Sequence, residues 1–138
     1  MKKTIIIIFS TVFTVFLQGC ANSKAQIINS ESESQVKVRS YQTKSYAVNK
    51  ITAVRAVISV MQDLGFVIDR ADDLTGTVSG TKLDGYKISM SITIRQKGNE
   101  STIRANAQAG ITAITEPKTY QDFFTSLDKG IFLEKNNI

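Results

Sequence analysis

The chain of 138 residues contains no histidine and no tryptophan, one cysteine and one proline. The missing histidine excludes a Ser-His-Asp triad, a histidine general base and an imidazole metal ligand. A single cysteine excludes an intramolecular disulfide and a thiolate zinc site, which both need at least two. These absences argue against catalysis. They predict a protein that is not an enzyme and that holds no cofactor or metal.

The length and the apolar content predict one small globular domain. Apolar residues make up 42% of the chain, which is enough to build a single core. A chain of this length supports one domain and hardly two.

The first twenty residues have the layout of an export signal. Lys2 and Lys3 precede an apolar run over residues 5–16, which is shorter than the roughly 20 residues that a membrane-spanning helix needs. The run ends in Leu17-Gln18-Gly19-Cys20, where a small residue precedes the cysteine. This ending resembles the lipobox of bacterial lipoproteins.

The resemblance to bacterial lipoproteins implies a processing route and a location. Residues 1–19 would be a signal peptide that is cut off, and Cys20 would carry a diacylglyceryl group and an N-acyl chain. Two or three acyl chains hold a protein stably on a membrane, whereas one does not. By the same resemblance, Ala21 after the cysteine favours an outer-membrane lipoprotein that faces the periplasm over an inner-membrane one.

The region after Cys20 is polar and predicts a tether. Residues 20–35 are mostly small and polar and show no periodicity, so we expect the acylated cysteine and a flexible linker before a single α+β domain over residues 36–138. Loss of residues 1–19 would remove Lys2 and Lys3 and reduce the formal charge from +5 to +3. No basic stripe with interleaved aromatic residues is present, which argues against a nucleic-acid partner.

Two stretches have helical periodicity. Apolar residues from Ile51 to Leu64 recur on one helical stripe between a possible N-cap, Asn49, and a C-terminal Gly65. A second stripe begins after Pro117, and Gly130 is expected to end or loosen that helix early. Its apolar members are Tyr120, Phe123, Phe124, Leu127 and Ile131.

The remaining stretches alternate with period two and predict strands. A weak alternation covers residues 36–46, and others begin at Phe66 and at Thr75. Asp84-Gly85 predicts a hairpin turn before the alternating residues 88–95. A last alternation extends from Ile103 to Ile111. The order β-α-β-β-β-β-α predicts an α+β two-layer sandwich, with an antiparallel sheet of four to five strands and two helices on one face.

One short pattern resembles a catalytic motif. Ser79-Gly80-Thr81-Lys82 matches the Ser-x-x-Lys of penicillin-recognising enzymes, which requires the serine at the start of a helix. Here the four residues lie in a predicted strand, which directs Ser79 and Lys82 to opposite faces.

Residues 55–69 and 74–80 together resemble a group of small bacterial lipoproteins with no assigned activity. This resemblance covers residues 38–133 loosely and transfers no catalytic residue. The layout is also similar to the small α+β modules of outer-membrane assembly lipoproteins, which is a resemblance of fold only.

The sequence therefore favours a non-catalytic, protein-binding accessory or assembly subunit of a cell-envelope complex. The alternative is a module that binds a small ligand, a lipid or a cell-wall component between a helix and the sheet. The polar sheet face with tyrosines nearby is a candidate partner surface, since tyrosine is favoured at interfaces. Its candidate residues are Tyr41, Tyr46, Tyr86, Arg95 and Arg104.

Overall fold

The computed structural model describes residues 34–138, and it confirms the α+β class. Residues 34–41 are helical and are named α1 here. The other elements are β1 (Thr43–Tyr46), α2 (Lys50–Asp63), β2 (Val67–Asp72), β3 (Thr77–Asp84), β4 (Tyr86–Lys97), β5 (Glu100–Ala109), β6 (Thr112–Ala113) and α3 (Pro117–Asn136).

The strands form one antiparallel sheet in the spatial order β1-β5-β4-β3-β2. The two-residue strand β6 adds a sixth strand to the predicted four to five. It pairs with the second half of β5, while β1 pairs with the first half. Because β1 and β2 lie at opposite edges of the sheet, the connecting helix α2 crosses one face. Residues 38–138 form one compact unit.

Helix α2 begins and ends at the residues that the sequence predicts. The Asn49 side chain accepts a hydrogen bond from the Thr52 backbone N–H at 2.8 Å, which caps the first turn. At the other end Gly65 has a φ of +82°, and the Phe66 N–H donates to the Met61 carbonyl at 2.9 Å. This is a Schellman ending, which reverses the chain into β2.

The buried face of α2 differs from the predicted stripe, because it excludes Ile51 and includes Ala53, Ala56 and Val60. Ile51 is 54% exposed, whereas the small residues Ala53 and Ala56 are fully buried. Small side chains on this face allow α3 to approach closely. A Cβ added at Gly130 of α3 would lie 2.6 Å from Val60 Cγ2 of α2. The prediction that Gly130 ends or loosens α3 is therefore wrong, since the helix continues to Asn136.

The core lies between the sheet and the two long helices, as predicted. Alternation along β4 buries Met90, Ile92 and Ile94. Alternation along β5 buries another set, which is Ser101, Ile103, Ala105 and Ala107. All five members of the α3 stripe are buried against these residues. The strand predicted from Ile103 to Ile111 is too long at its C-terminal end, because β5 stops at Ala109 and Ile111 is 99% exposed.

The predicted first strand is wrong over residues 36–41. That stretch is helical, its Val36 is 68% exposed, and the Val38 carbonyl accepts a helical hydrogen bond from the Gln42 N–H. A longer β1 would have to pair with Ala107 of β5. That position is occupied, because the Ala107 N–H donates to the Tyr120 hydroxyl and its carbonyl accepts from the Ile114 N–H.

Candidate functional site

The face of the sheet opposite the long helices is polar. Strand alternation and pairing register bring side chains of β1 to β5 onto one surface, which we call the polar sheet face. Its polar members are Thr43, Ser45, Asp69, Arg70, Asp72, Thr77, Ser79, Thr81, Lys87, Ser89, Ser91, Thr93, Arg95, Lys97, Glu100, Thr102, Arg104, Asn106 and Gln108.

Two arginines lie next to each other on this face. Arg104 of β5 is opposite Thr93 of β4, and Arg95 of β4 is opposite Thr102 of β5, so the arginines are diagonal neighbours. Arg95 is exposed, whereas the Arg104 Nε is buried and makes no hydrogen bond. Among residues 34–138 neither guanidinium has a hydrogen-bond or ion-pair partner. The donors of the exposed Arg95 are therefore free for an external group, and those of Arg104 are not used by the described residues.

Two of the three acidic groups on this side of the sheet, Asp69 and Asp72, lie on the edge strand β2 and have partners. The third, Glu100, lies opposite Lys97 beside the β4–β5 turn. Asp72 accepts a hydrogen bond from the Thr75 N–H at 3.0 Å and forms an ion pair with Arg70 at 3.4 Å. The hydrogen bonds from Thr75, with a contribution from Arg70, lower the pKa of Asp72 below its ordinary value. Asp69 accepts a hydrogen bond from the Thr81 hydroxyl at 2.7 Å.

Tyr46 and Tyr41 lie on the helix side of the sheet. The Tyr46 hydroxyl donates to Asp128 of α3 at 2.9 Å, and Lys44 pairs with the same carboxylate at 2.7 Å. Burial, together with the hydrogen bond and charge of Asp128, raises the pKa of Tyr46 well above its ordinary value. The Tyr41 hydroxyl donates to the Thr115 carbonyl at 2.6 Å. Tyr46 therefore connects β1 to α3, and Tyr41, just before β1, connects to the segment that precedes α3.

Tyr86 lies at the mouth of a cleft between α3 and the β3–β4 hairpin. The cleft has a volume of about 600 Å³. Its walls are apolar at the base, where they consist of Leu64, Phe66, Ile88, Met90, Ile114 and Phe123. Its rim is polar, with Lys82, Asp84, Tyr86, Thr115, Glu116, Thr119 and Asp122. The Lys82 ammonium lies 5.0 Å from the centre of the Phe66 ring, which is a cation–π contact.

The edges of the sheet are poorly suited to adding a partner strand. At β5 the Gln42 carbonyl accepts from the Ala105 N–H, and Tyr120 and Ile114 take the groups of Ala107. The opposite edge, β2, carries charged side chains and an irregular register between Ile68 and Arg70. Bulges and charges are the features that prevent edge-to-edge pairing.

The structure divides the five predicted partner residues into two groups. Arg95 and Arg104 lie together on the polar sheet face. Tyr41, Tyr46 and Tyr86 lie on the other side, where the first two make contacts within the domain. Sequence alternation indicates the helix side for Tyr86, because it is two residues from the partly buried Ile88 on the same strand. Sequence reasoning placed a ligand site between helix and sheet but did not identify the residues of the cleft.

Ser79 and Lys82 lie on opposite faces of β3, as expected, so they do not form a catalytic pair. Within residues 34–138 no cluster of three or more histidine, cysteine or acidic side chains could hold a metal ion. No helix in the same range is long and apolar enough to span a membrane. Cys20 and residues 1–19 lie outside the described residues.

No protein family matches the sequence, and no curated protein matches it. Among solved structures, the chain is similar to a DUF4468 family protein from Bacteroides ovatus. The two have 10% sequence identity and a TM-score of 0.40, over 64% of this chain and 84% of that chain.

Proposed function

We propose that this protein is a cell-envelope lipoprotein whose domain binds another protein without catalysing a reaction. The acylated Cys20 would hold it in the outer membrane, facing the periplasm. The domain would serve as an accessory or assembly subunit of an envelope complex. The lipobox-like sequence Leu17-Gln18-Gly19-Cys20 supports the anchor, and the polar sheet face supports protein binding.

The observation that carries the binding proposal is the polar sheet face, on which neither long helix packs. Five strands spaced about 4.8 Å apart, with about eight residues each, present roughly 20 Å by 25 Å of surface. That is a large part of the roughly 800 Å² that each partner contributes to an ordinary protein interface. A flat surface of this size suits a protein, since small molecules need a concave site.

The anchor is tested by replacing the cysteine. The Cys20→Ala variant should lose labelling by an alkyne-tagged palmitate and should leave the membrane fraction. Ser23→Ala, which changes a residue just after the lipobox-like sequence, is the control and should keep both properties. Persistent lipid labelling of the Cys20→Ala variant would contradict the proposal.

Protein binding is tested by site-specific crosslinking in cells. A photo-reactive amino acid at Ser91, in the centre of the polar sheet face, should give a discrete crosslinked product of higher mass. The same amino acid at Gln62, an exposed position of α2, is the control and should not give that product. A protein that stays monomeric in detergent extracts, with no product from Ser91, would oppose the proposal.

The cleft favours a second candidate function, the binding of a small amphipathic ligand. Its apolar base suits an acyl chain or an aromatic group, and its polar rim could fix the orientation of a headgroup. A ligand from a set of lipids, glycans and peptidoglycan fragments should then raise the melting temperature. Thr119→Phe, which fills the cleft, should abolish that rise, whereas Thr125→Phe, at an exposed position of the same helix, should preserve it. No rise with any compound would exclude this function for the set tested.

A further inference from the structure

The charges of the polar sheet face are unevenly distributed. Five of its members are cationic and three are anionic. The cations are Arg70, Lys87, Arg95, Lys97 and Arg104, and the anions are Asp69, Asp72 and Glu100. Arg70 and Asp72 pair with each other on the edge strand β2. Glu100 lies opposite Lys97 beside the β4–β5 turn. Arg95 and Arg104 therefore remain as two adjacent cations that form no ion pair among residues 34–138.

Neither arginine forms an ion pair with an acidic group of residues 34–138, although Glu100 of β5 lies diagonally across from Arg95. Asp69 and Asp72 both lie on β2, which is separated from β4 by β3 and from β5 by two strands. Their side chains already have partners within β2, in its turn or on β3. The buried Arg104 Nε has no hydrogen-bond partner, and a second cation lies diagonally beside it about 7 Å away.

We propose that Arg95 and Arg104 form a carboxylate-binding pair that receives an acidic segment of the partner protein. This inference rests on the proposed function and names the chemistry of the partner. A guanidinium presents parallel N–H donors that match the two oxygens of a carboxylate. The hydroxyls of Thr43, Thr93 and Thr102 flank the pair, so neighbouring polar groups of the same segment also find hydrogen-bond partners.

An acidic protein segment fits this surface better than an anionic membrane does. Binding to a lipid surface relies on clusters of four or more basic residues or on apolar side chains that enter the bilayer. The five cations of the polar sheet face are interspersed with three carboxylates, so its net charge is only two, and its other polar members are neutral hydroxyls and amides. Two fixed guanidiniums on adjacent strands instead provide short-range, directional recognition.

The test measures binding of a fluorescent peptide of alternating Glu and Ser to the full chain in nonionic detergent. A peptide of alternating Gln and Ser is the uncharged control. We expect the acidic peptide to bind, and Arg95→Gln and Arg104→Gln each to weaken binding about tenfold. Arg104→Lys, which keeps the charge and loses the fork, should weaken it as well. Arg55→Gln removes the same charge from an exposed position of α2, on the other side of the sheet, and should leave binding unchanged.

Three results would overturn the carboxylate-binding pair. The first is equal binding of the two peptides, and the second is an equal loss of binding in Arg55→Gln, which would indicate an effect of overall charge. The third is binding of glycerol 3-phosphate, a lipid-headgroup probe, without binding of the acidic peptide. Because Arg95 is exposed, its variant tests the proposal even if Arg104→Gln disturbs the fold. If the Ser91 crosslink persists in the Arg95→Gln/Arg104→Gln double variant, the partner stands and the arginine pair fails.

Discussion

The Gly130→Ala substitution tests whether the close contact between α2 and α3 is rigid. A glycine inside a helix normally costs about 1 kcal/mol relative to alanine, so Gly130→Ala on an exposed helix would stabilise the protein. Here the new Cβ would lie 2.6 Å from Val60 Cγ2. Val60 is 3% exposed, and a valine in a helix has essentially one χ1 rotamer, so the methyl has little freedom to move.

Overpacking of this kind costs about 1–3 kcal/mol. After the gain in helix propensity, we expect Gly130→Ala to destabilise the protein by about 1 kcal/mol. The matched background is Val60→Ala, which itself costs about 2 kcal/mol and removes the colliding methyl. In that background the nearest remaining atom is the Ala56 carbonyl oxygen at 3.6 Å, an ordinary contact. Gly130→Ala should then stabilise by about 1 kcal/mol.

The assay is urea unfolding of the four proteins of this double-mutant cycle, followed by far-UV circular dichroism. The cycle should give a coupling of about 2 kcal/mol between positions 60 and 130, with a change of sign for the alanine substitution. A Gly130→Ala protein as stable as the wild type, with no coupling to Val60, would refute the close-packing argument.

Three further substitutions test other parts of the fold. Gly76 and Gly85 both have a positive φ, but only at Gly76 would a Cβ collide with a backbone atom, the Ile94 carbonyl oxygen. Urea unfolding should therefore show a loss of about 3 kcal/mol for Gly76→Ala and about 1 kcal/mol for Gly85→Ala, and similar losses would contradict this. Tyr120→Phe should cost about 2 kcal/mol, because it leaves the Ala107 N–H and the Ile114 carbonyl without their partner, whereas Tyr86→Phe should cost almost nothing. The pKa of Tyr46 is higher in the folded state than its unfolded value of 10.0. Its contribution to the free energy of unfolding is therefore complete below pH 10.0 and is lost as the pH rises above that value. Thermal melts above pH 10.0 should thus show a steeper fall in stability for the wild type than for Tyr46→Phe, and parallel falls would contradict the assignment.

Local periodicity was sufficient to predict the two long helices. The Asn49 cap and the Gly65 ending define α2, and Pro117 begins α3 at its first turn. These signals involve neighbours within one turn, so they do not depend on the rest of the fold. The exposed Ile51 shows the limit of the method. A stripe chosen by large apolar side chains misses Ala53 and Ala56, which are buried because the helices approach each other there.

The error at residues 36–41 has a cause that lies far away in sequence. A weak alternation predicted a strand, but the strand can extend only as far as β5 offers free backbone groups. Beyond Gln42 those groups are bonded to Tyr120 and to Ile114. The residues that end β1 thus belong to α3 and to the segment before it, more than seventy positions later. No local pattern contains that information.

The division of the candidate partner residues follows from the register of the sheet. A single strand shows which residues share a face, and this relates Tyr86 to Ile88 without any further knowledge. Relating Tyr46 to Arg104 requires the pairing of β1 with β5, which places Tyr46 opposite the buried Ser101. The same register places Arg104 opposite Thr43, on the polar sheet face. A hydroxyl that is bonded to Asp128 already stabilises the domain, whereas an arginine without a partner keeps its donors for another molecule. The tyrosines of β1 are therefore expected to affect stability when they are replaced, and the arginines to affect binding.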